Sequence, residues 1–424
     1  MVLRLAWLFI LNALVRLGAS DFQGATHLVP IDEETINYSQ SQPQNEISKL
    51  QERLNTGDLR LGWDTNQGYL PALLQTLAIP LESQMLVFSK TSMQRDHISP
   101  HNPRALFFND NVYLAWIPGA PLVEISVADP KLGAVFYTLD QQSVERPRFK
   151  RNDQCLECHA SSRSMGVPGH LVRSFATDDD GVVDLSSGTS QVTHRTPFAD
   201  RWGGWYVTGT HGKQTHRGNL IGKADFARQE KELNFAGNRT NLAEYFPLQK
   251  YAAPHSDIVA LMVLEHQTHI HNYITRLNYE AHRALKTYGH VNYLKSIVEG
   301  FVQYLLFAEE APLTNSIRGT SQFREQFAAL GPRDSHGRSL RQFNLETRLF
   351  EYPCSYLIYS DAFDALPSPI KEKIYARLYE VLRGDDQSDA YDRLSAKTRR
   401  AIFEILRETK NDLPESWHAA KAAR

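Results

Sequence analysis

The chain has 424 residues, 42% of them hydrophobic, with a formal charge of −2. That is enough apolar mass for two or three domains. A near-neutral charge with no basic or acidic tail excludes a nucleic-acid-binding protein.

In chain order, Arg4 precedes a mostly apolar stretch over residues 5–15. Gly18, Ala19 and Ser20 then offer small residues for cleavage before Asp21. Residues 1–20 therefore read as a secretory signal peptide, too short to span a bilayer. No later run reaches spanning length, so the mature chain is expected to carry no transmembrane span. Residues 21–83 read as a polar leader with short helices. Positions 21–45 look mobile, and helical spacing recurs at 46–54 and 69–77.

Residues 84–250 read as β-rich. Ala105 to Phe108 runs into the turn Asn109-Asp110-Asn111, and Val112 to Trp116 follows. Leu122 to Val127 and Ala134 to Leu139 complete four strands with short connections, an antiparallel sheet. Strands are also expected near His170 to Phe175, near Val182 and near Gly204 to Gly209. The run Asp178-Asp179-Asp180 reads as a solvated hairpin tip, because its spacing matches no calcium loop.

From residue 251 to 424 the period becomes 3.6. One long helix runs from Asp257 to Gly289, a second covers 293–307, and others lie near 345–363, 368–384 and 395–410. The fold class is therefore α+β, an antiparallel β-rich region followed by an all-helical C-terminal subdomain.

The chemistry-bearing motif is Cys155-Leu156-Glu157-Cys158-His159, which holds two of the three cysteines in the chain. C-x-x-C-H is the haem c attachment signature. Two thiols add to the haem vinyl groups, and the adjacent imidazole becomes an axial iron ligand. Zinc would need further ligands at matching spacing. A redox dithiol would open a long helix after a strand. One covalent haem c per chain is thus expected, on Cys155 and Cys158, with His159 as proximal ligand. Cys354 reads as a buried apolar thiol, with a thiolate haem ligand as the alternative.

The sixth iron ligand stays open at this level. Met165 follows His159 too closely to reach the opposite porphyrin face without a tight loop, and Met262 sits on the long helix. His170 after Gly166-Val167-Pro168-Gly169, His211 at a strand end, and His266 on the long helix are the histidine candidates. His194 and His216 read as weaker ones. His266 and His269 face inward with Glu265 one turn from His269, whereas His271 and His282 read as surface residues. Arg163 and Arg173 are candidate propionate partners, and Trp202 and Trp205 candidate walls.

Residues 155–159 resemble c-type cytochromes. The text around Pro103-Arg104-Ala105-Leu106, Gly133 to Leu139, Gly166 to His170, Arg201 to His211 and Cys354 to Asp364 is similar to uncharacterised secreted bacterial monohaem proteins. The resemblance implies haem c binding and electron transfer, with no known substrate. The absence of a well-placed downstream methionine and the strands around the motif depart from the small all-helical cytochromes. They look more like the PAS-like extracytoplasmic haem sensors, an analogy of fold alone.

Export and haem c agree, because bacterial haem attachment takes place outside the cytoplasmic membrane. The expected protein is a periplasmic or otherwise extracytoplasmic electron carrier, exchanging electrons with donor and acceptor proteins. The alternatives are a haem redox enzyme, peroxidase-like or another oxidoreductase, and an extracytoplasmic haem sensor. No catalytic acid–base pair can be assigned.

Overall fold

The computed structural model describes residues 28–386 and 388–419. The expected signal peptide, residues 1–20, lies outside the described residues. Two short helices, α1 (Glu46–Thr56) and α2 (Leu70–Thr76), lead into a sheet. Its strands are β1 (Met85–Val87), β2 (Arg104–Phe108), β3 (Val112–Trp116), β4 (Leu122–Asp129), β5 (Gly133–Asp140) and β6 (Phe149–Arg151).

After β6 come the one-turn helix α3 (Leu156–His159) and a separate hairpin of β7 (Arg173–Phe175) and β8 (Thr189–Gln191). Strand β9 (Trp205–Tyr206) returns to the main sheet, and α4 (Gly222–Gln229) follows. The helical part holds α5 (Ile258–Tyr288), α6 (Lys295–Leu305), α7 (Phe323–Ala329), α8 (Asp361–Asp364), α9 (Ser368–Arg383), α10 (Ala396–Thr409) and α11 (Glu415–Ala419).

The seven strands of the main sheet lie in the order β6-β5-β4-β3-β2-β1-β9, with every pairing antiparallel. The α+β reading holds, and β2 to β5 form the expected meander. Its turns are made by local chemistry. Asn109 Oδ1 accepts from the amides of Asn111 and Val112 between β2 and β3. Asp129 Oδ1 does the same for Lys131 and Leu132 between β4 and β5.

Register decides which side chains share a face, because directly paired residues point to the same side. One face carries Ala105, Phe107, Leu114, Trp116, Ile125, Tyr137 and Leu139, and joins the core formed with α1 and α2. The other face has two rows. Phe108, Tyr113, Ser126 and Phe136 form the lower row, packed toward α5 and α7. Leu106, Ala115, Glu124 and Thr138 form the upper row. Leu106 and Glu124 are only half-buried.

Helix α5 explains why the two regions share a core. Its middle is buried on every side, polar residues included. These side chains satisfy loop backbone beneath the sheet. Gln267 donates to the Asn109 and Asp110 carbonyls, and His271 Nε2 donates to Asp110 O at 2.9 Å. Asn278 and the Tyr279 hydroxyl reach the carbonyls of Lys131 and Leu132. A helix enclosed all round has no surface face, so the reading of His271 as a surface residue is corrected: it is 3% exposed.

Two further expectations change. Residues 28–45 are not a mobile leader. Val29, Ile36 and Tyr38 are buried, the Tyr38 hydroxyl donates to Ala134 O, and Arg151 lies 4.5 Å over the Tyr38 ring. All three side chains join the core formed with α1, α2 and the sheet, and Tyr38 ties the strap to β5. Over residues 345–363, where one helix was expected, the chain forms turns, a short 3-10 segment at Tyr356–Tyr359 and the single turn α8. Pro353 lacks an amide donor, and Ser355 and Ser360 cap the two short pieces separately. Cys354 is fully buried there, and burial pushes its thiol well up.

Candidate functional site

Cys155 to His159 follow the edge strand β6 directly. Asn152 Oδ1 accepts from Gln154 N and starts a 3-10 turn over Asp153–Cys155, which passes into α3. The helix stops after one turn. Ser161 and Ser164 form a reciprocal cap of the next segment, and Met165 takes a left-handed backbone with φ 62°. Cys155 is half-buried and Cys158 exposed, both as free thiols.

The His159 ring packs on Phe136 of β5, with centroids 4.8 Å apart. Its Nδ1 lies 2.9 Å from Gly169 O, and a carbonyl only accepts, so Nδ1 carries the proton and Nε2 is left as the basic nitrogen. Gly169 N donates back to His159 O at 2.8 Å. This two-way contact fixes both the orientation of the imidazole and its tautomer, the usual arrangement behind a metal-ligating histidine.

The loop supplying Gly169 is held from three sides. Asn272 on α5 accepts from His170 N and donates to His170 O, both at 2.8 Å. Arg276 donates to Met165 O. Pro168 O accepts from Ala134 N, and Gly166 O accepts from Val29 N. Glycine is required at 169 because a Cβ there would lie 2.3 Å from Asn272 Oδ1.

Near the motif lies Glu124 of the upper row of the sheet face, with Arg104 of β2. Arg104 and Glu124 pair at 3.3 Å, with side chains 14% and 19% exposed. Burial pushes the Cys155 thiol up to about 11, and Glu124 adds to the effect. Burial also lowers the His159 imidazole, as does Arg104, against the Gly169 bond and Glu124. On the far side, burial and Arg163 depress the Arg173 guanidinium, while Cys158 opposes them. The Trp205 indole donates to Arg173 O. The Nε atoms of Arg104 and Arg173 are buried with no hydrogen-bond partner.

The residues singled out in the sequence separate into distinct places. His170 sits beneath the motif, 5% exposed, with Nε2 2.7 Å from Ser126 Oγ and its ring 4.3 Å from Tyr113. His211 packs against His216 at 4.6 Å and accepts from Asn238 N. His266 shares a 2.9 Å Nδ1 to Nδ1 contact with His194 and reaches Ser355 through Nε2. His194 and His216, expected in polar loops, are both buried. Trp202 donates to Glu265, which also pairs with Arg201, so it belongs with the buried polar group of α5 and not with Trp205.

Asp178 Oδ1 accepts from the Asp180 and Val182 amides, the turn expected of a hairpin tip. Sequence reading missed Arg104, Glu124, Gly169 as the Nδ1 partner, and Asn272. All of these act across the fold, and no local spacing marks them.

Among the described residues, the one group of three or more ligand side chains that converge is Asp334, His336 and Glu408. Its carboxylates are already engaged by Arg338 and Ser335. Cys155, Cys158 and His159 therefore do not close on a common point, as a zinc site would require. Among the described residues no helix is long and apolar enough to cross a membrane. No family model, curated protein or solved structure matches the chain.

Proposed function

We propose that the protein is an exported monohaem c-type cytochrome that transfers electrons. The observation that carries this reading is the His159 arrangement within C-x-x-C-H: Nδ1 committed to Gly169 O and Nε2 left basic beside two free thiols. A redox dithiol fits less well. Its nucleophilic thiol needs a lowered pKa, whereas Cys155 is pushed up to about 11 by burial and Glu124. The motif also lies on a single helical turn, not at the start of a long helix.

The residues fit a haem. Cys155 and Cys158 would hold it covalently, and His159 Nε2 would bind the iron. Glu124, half-buried in the upper row of the sheet face, supplies a polar border beside the motif. The unpartnered Arg104 Nε and Arg173 Nε suit propionate oxygens through charge-assisted bonds. When bound, the haem supplies one-electron exchange between Fe(III) and Fe(II). The chain's own part is to hold the imidazole rigid through Gly169, Asn272 and Arg276, which limits rearrangement between oxidation states.

The proposed setting is extracytoplasmic, with separate donor and acceptor proteins. The test is expression of the full chain in a bacterial host with haem c maturation machinery. One covalent haem should survive denaturation, be lost in the Cys155→Ser/Cys158→Ser double variant, and cycle reversibly between oxidation states. Absence of covalent haem in the unmodified protein would overturn the reading. High-spin ferric haem reacting rapidly with peroxide would favour the haem-enzyme alternative.

A further inference from the structure

We propose that Met93 is the second axial ligand of the iron, an inference that rests on the haem c reading. The described part of the chain holds four methionines. Met85 and Met262 are 0% and 2% exposed within the core. Met165 is 8% exposed in the turn immediately after the motif, its carbonyl tied to Arg276. Met93 differs from all three: it is 53% exposed, in the long connection between β1 and β2.

Although 62 residues upstream of Cys155 in sequence, Met93 is brought beside the motif. Its Sδ lies 3.7 Å from Nδ2 of Asn152, the residue that caps the turn leading into Cys155. The loop is pinned on both sides of it. Ser92 Oγ and Gln94 Nε2 both donate to Glu124 Oε1, at 2.6 and 3.1 Å. Gln94 also exchanges bonds with the Leu122 backbone. Glu124 is the same carboxylate whose charge acts on Cys155 and His159. A loop anchored on Glu124 thus presents a flexible thioether beside the motif.

The chemistry agrees. A thioether is a soft ligand suited to haem iron and favours the ferrous state. An exposed methionine forgoes apolar burial, which contact with a haem would recover. The histidine candidates, in contrast, are enclosed by protein: His170, His211 and His266 are 5%, 0% and 0% exposed, and His266 holds bonds at both ring nitrogens.

The test compares the holoprotein with Met93→Ala, Met93→His and Met165→Leu. Because Met93 is exposed, its removal should leave folding unchanged by circular dichroism. The unmodified ferric protein should be low-spin and show the near-infrared sulfur-to-iron charge-transfer band. Met93→Ala should lose that band, become high-spin and bind carbon monoxide when reduced. Met93→His should restore a low-spin spectrum at a lower reduction potential, and Met165→Leu should keep the band. A band that persists in Met93→Ala, or that is missing from an unmodified protein carrying covalent haem, overturns the assignment alone. No covalent haem in the unmodified protein overturns the assignment and the haem reading together.

Discussion

Asn272→Ala tests how the proximal imidazole is positioned. The Asn272 amide accepts from His170 N and donates to His170 O, each at 2.8 Å, across 102 residues of sequence. Both residues are buried, at 0% and 5% exposure. Truncation strands one amide N–H and one carbonyl, each costing about 1–3 kcal/mol when left unsatisfied. The loss should therefore be about 2–6 kcal/mol, a large part of a stability of roughly 5–15 kcal/mol. Because the next residue back is Gly169, whose carbonyl orients His159, the same change should loosen the imidazole. Urea unfolding measures the first effect and the reduction potential of the loaded protein the second. Glu157→Ala, an exposed position in the motif itself, should shift stability by no more than about 0.5 kcal/mol. An Asn272→Ala protein within about 1 kcal/mol of the original at unchanged m-value, with the same potential, would refute the reasoning.

Further outcomes follow from the same geometry. Gly169→Ala drives a methyl into Asn272 Oδ1, so it should cost as much as Asn272→Ala, and the double variant little more than either, as a double-mutant cycle would measure. Arg173→Gln removes a half-buried positive charge near Cys158 and should lower the reduction potential of the haem by favouring the ferric state. The fold should be acid-labile. Burial, with His211 nearby, holds His216 well below its ordinary 6.5; burial, with His269 and His271, does the same for His266; and burial lowers His271 to about 4 against its Asp110 contacts. The unfolded chain takes up these protons first, so stability present above pH 6.5 is lost as pH falls toward 4. At pH 5 each such histidine removes about 2 kcal/mol, roughly 6 kcal/mol for three, and unfolding should then be measurable by denaturant titration. A stability flat between pH 7 and pH 5 would contradict this.

Much of the fold was legible because its signals are local. The alternation over 122–127, the Asx turns at Asn109 and Asp129, and the cap-to-glycine span from Asp257 to Gly289 each depend on residues within a few positions of one another. The reading failed where burial came from distant partners. His271 looks like a surface residue because the apolar stripe of α5 excludes it, yet the Asp110 carbonyl and the sheet cover that face. The strap at residues 28–45 looks polar, yet three apolar side chains suffice to dock it.

The motif behaves in the same way. Five consecutive residues determine that two thiols and an imidazole lie on one short turn, because that spacing is a property of the chain itself. The sequence does not determine which nitrogen of His159 is basic, which arginines lie near the motif, or which loop reaches Asn152. Those follow from Gly169 O, Arg104, Arg173 and the Met93 loop, brought together by sheet register and by the polar side chains of α5. They are long-range contacts, and only the packed chain brings such partners within a few ångströms of one another.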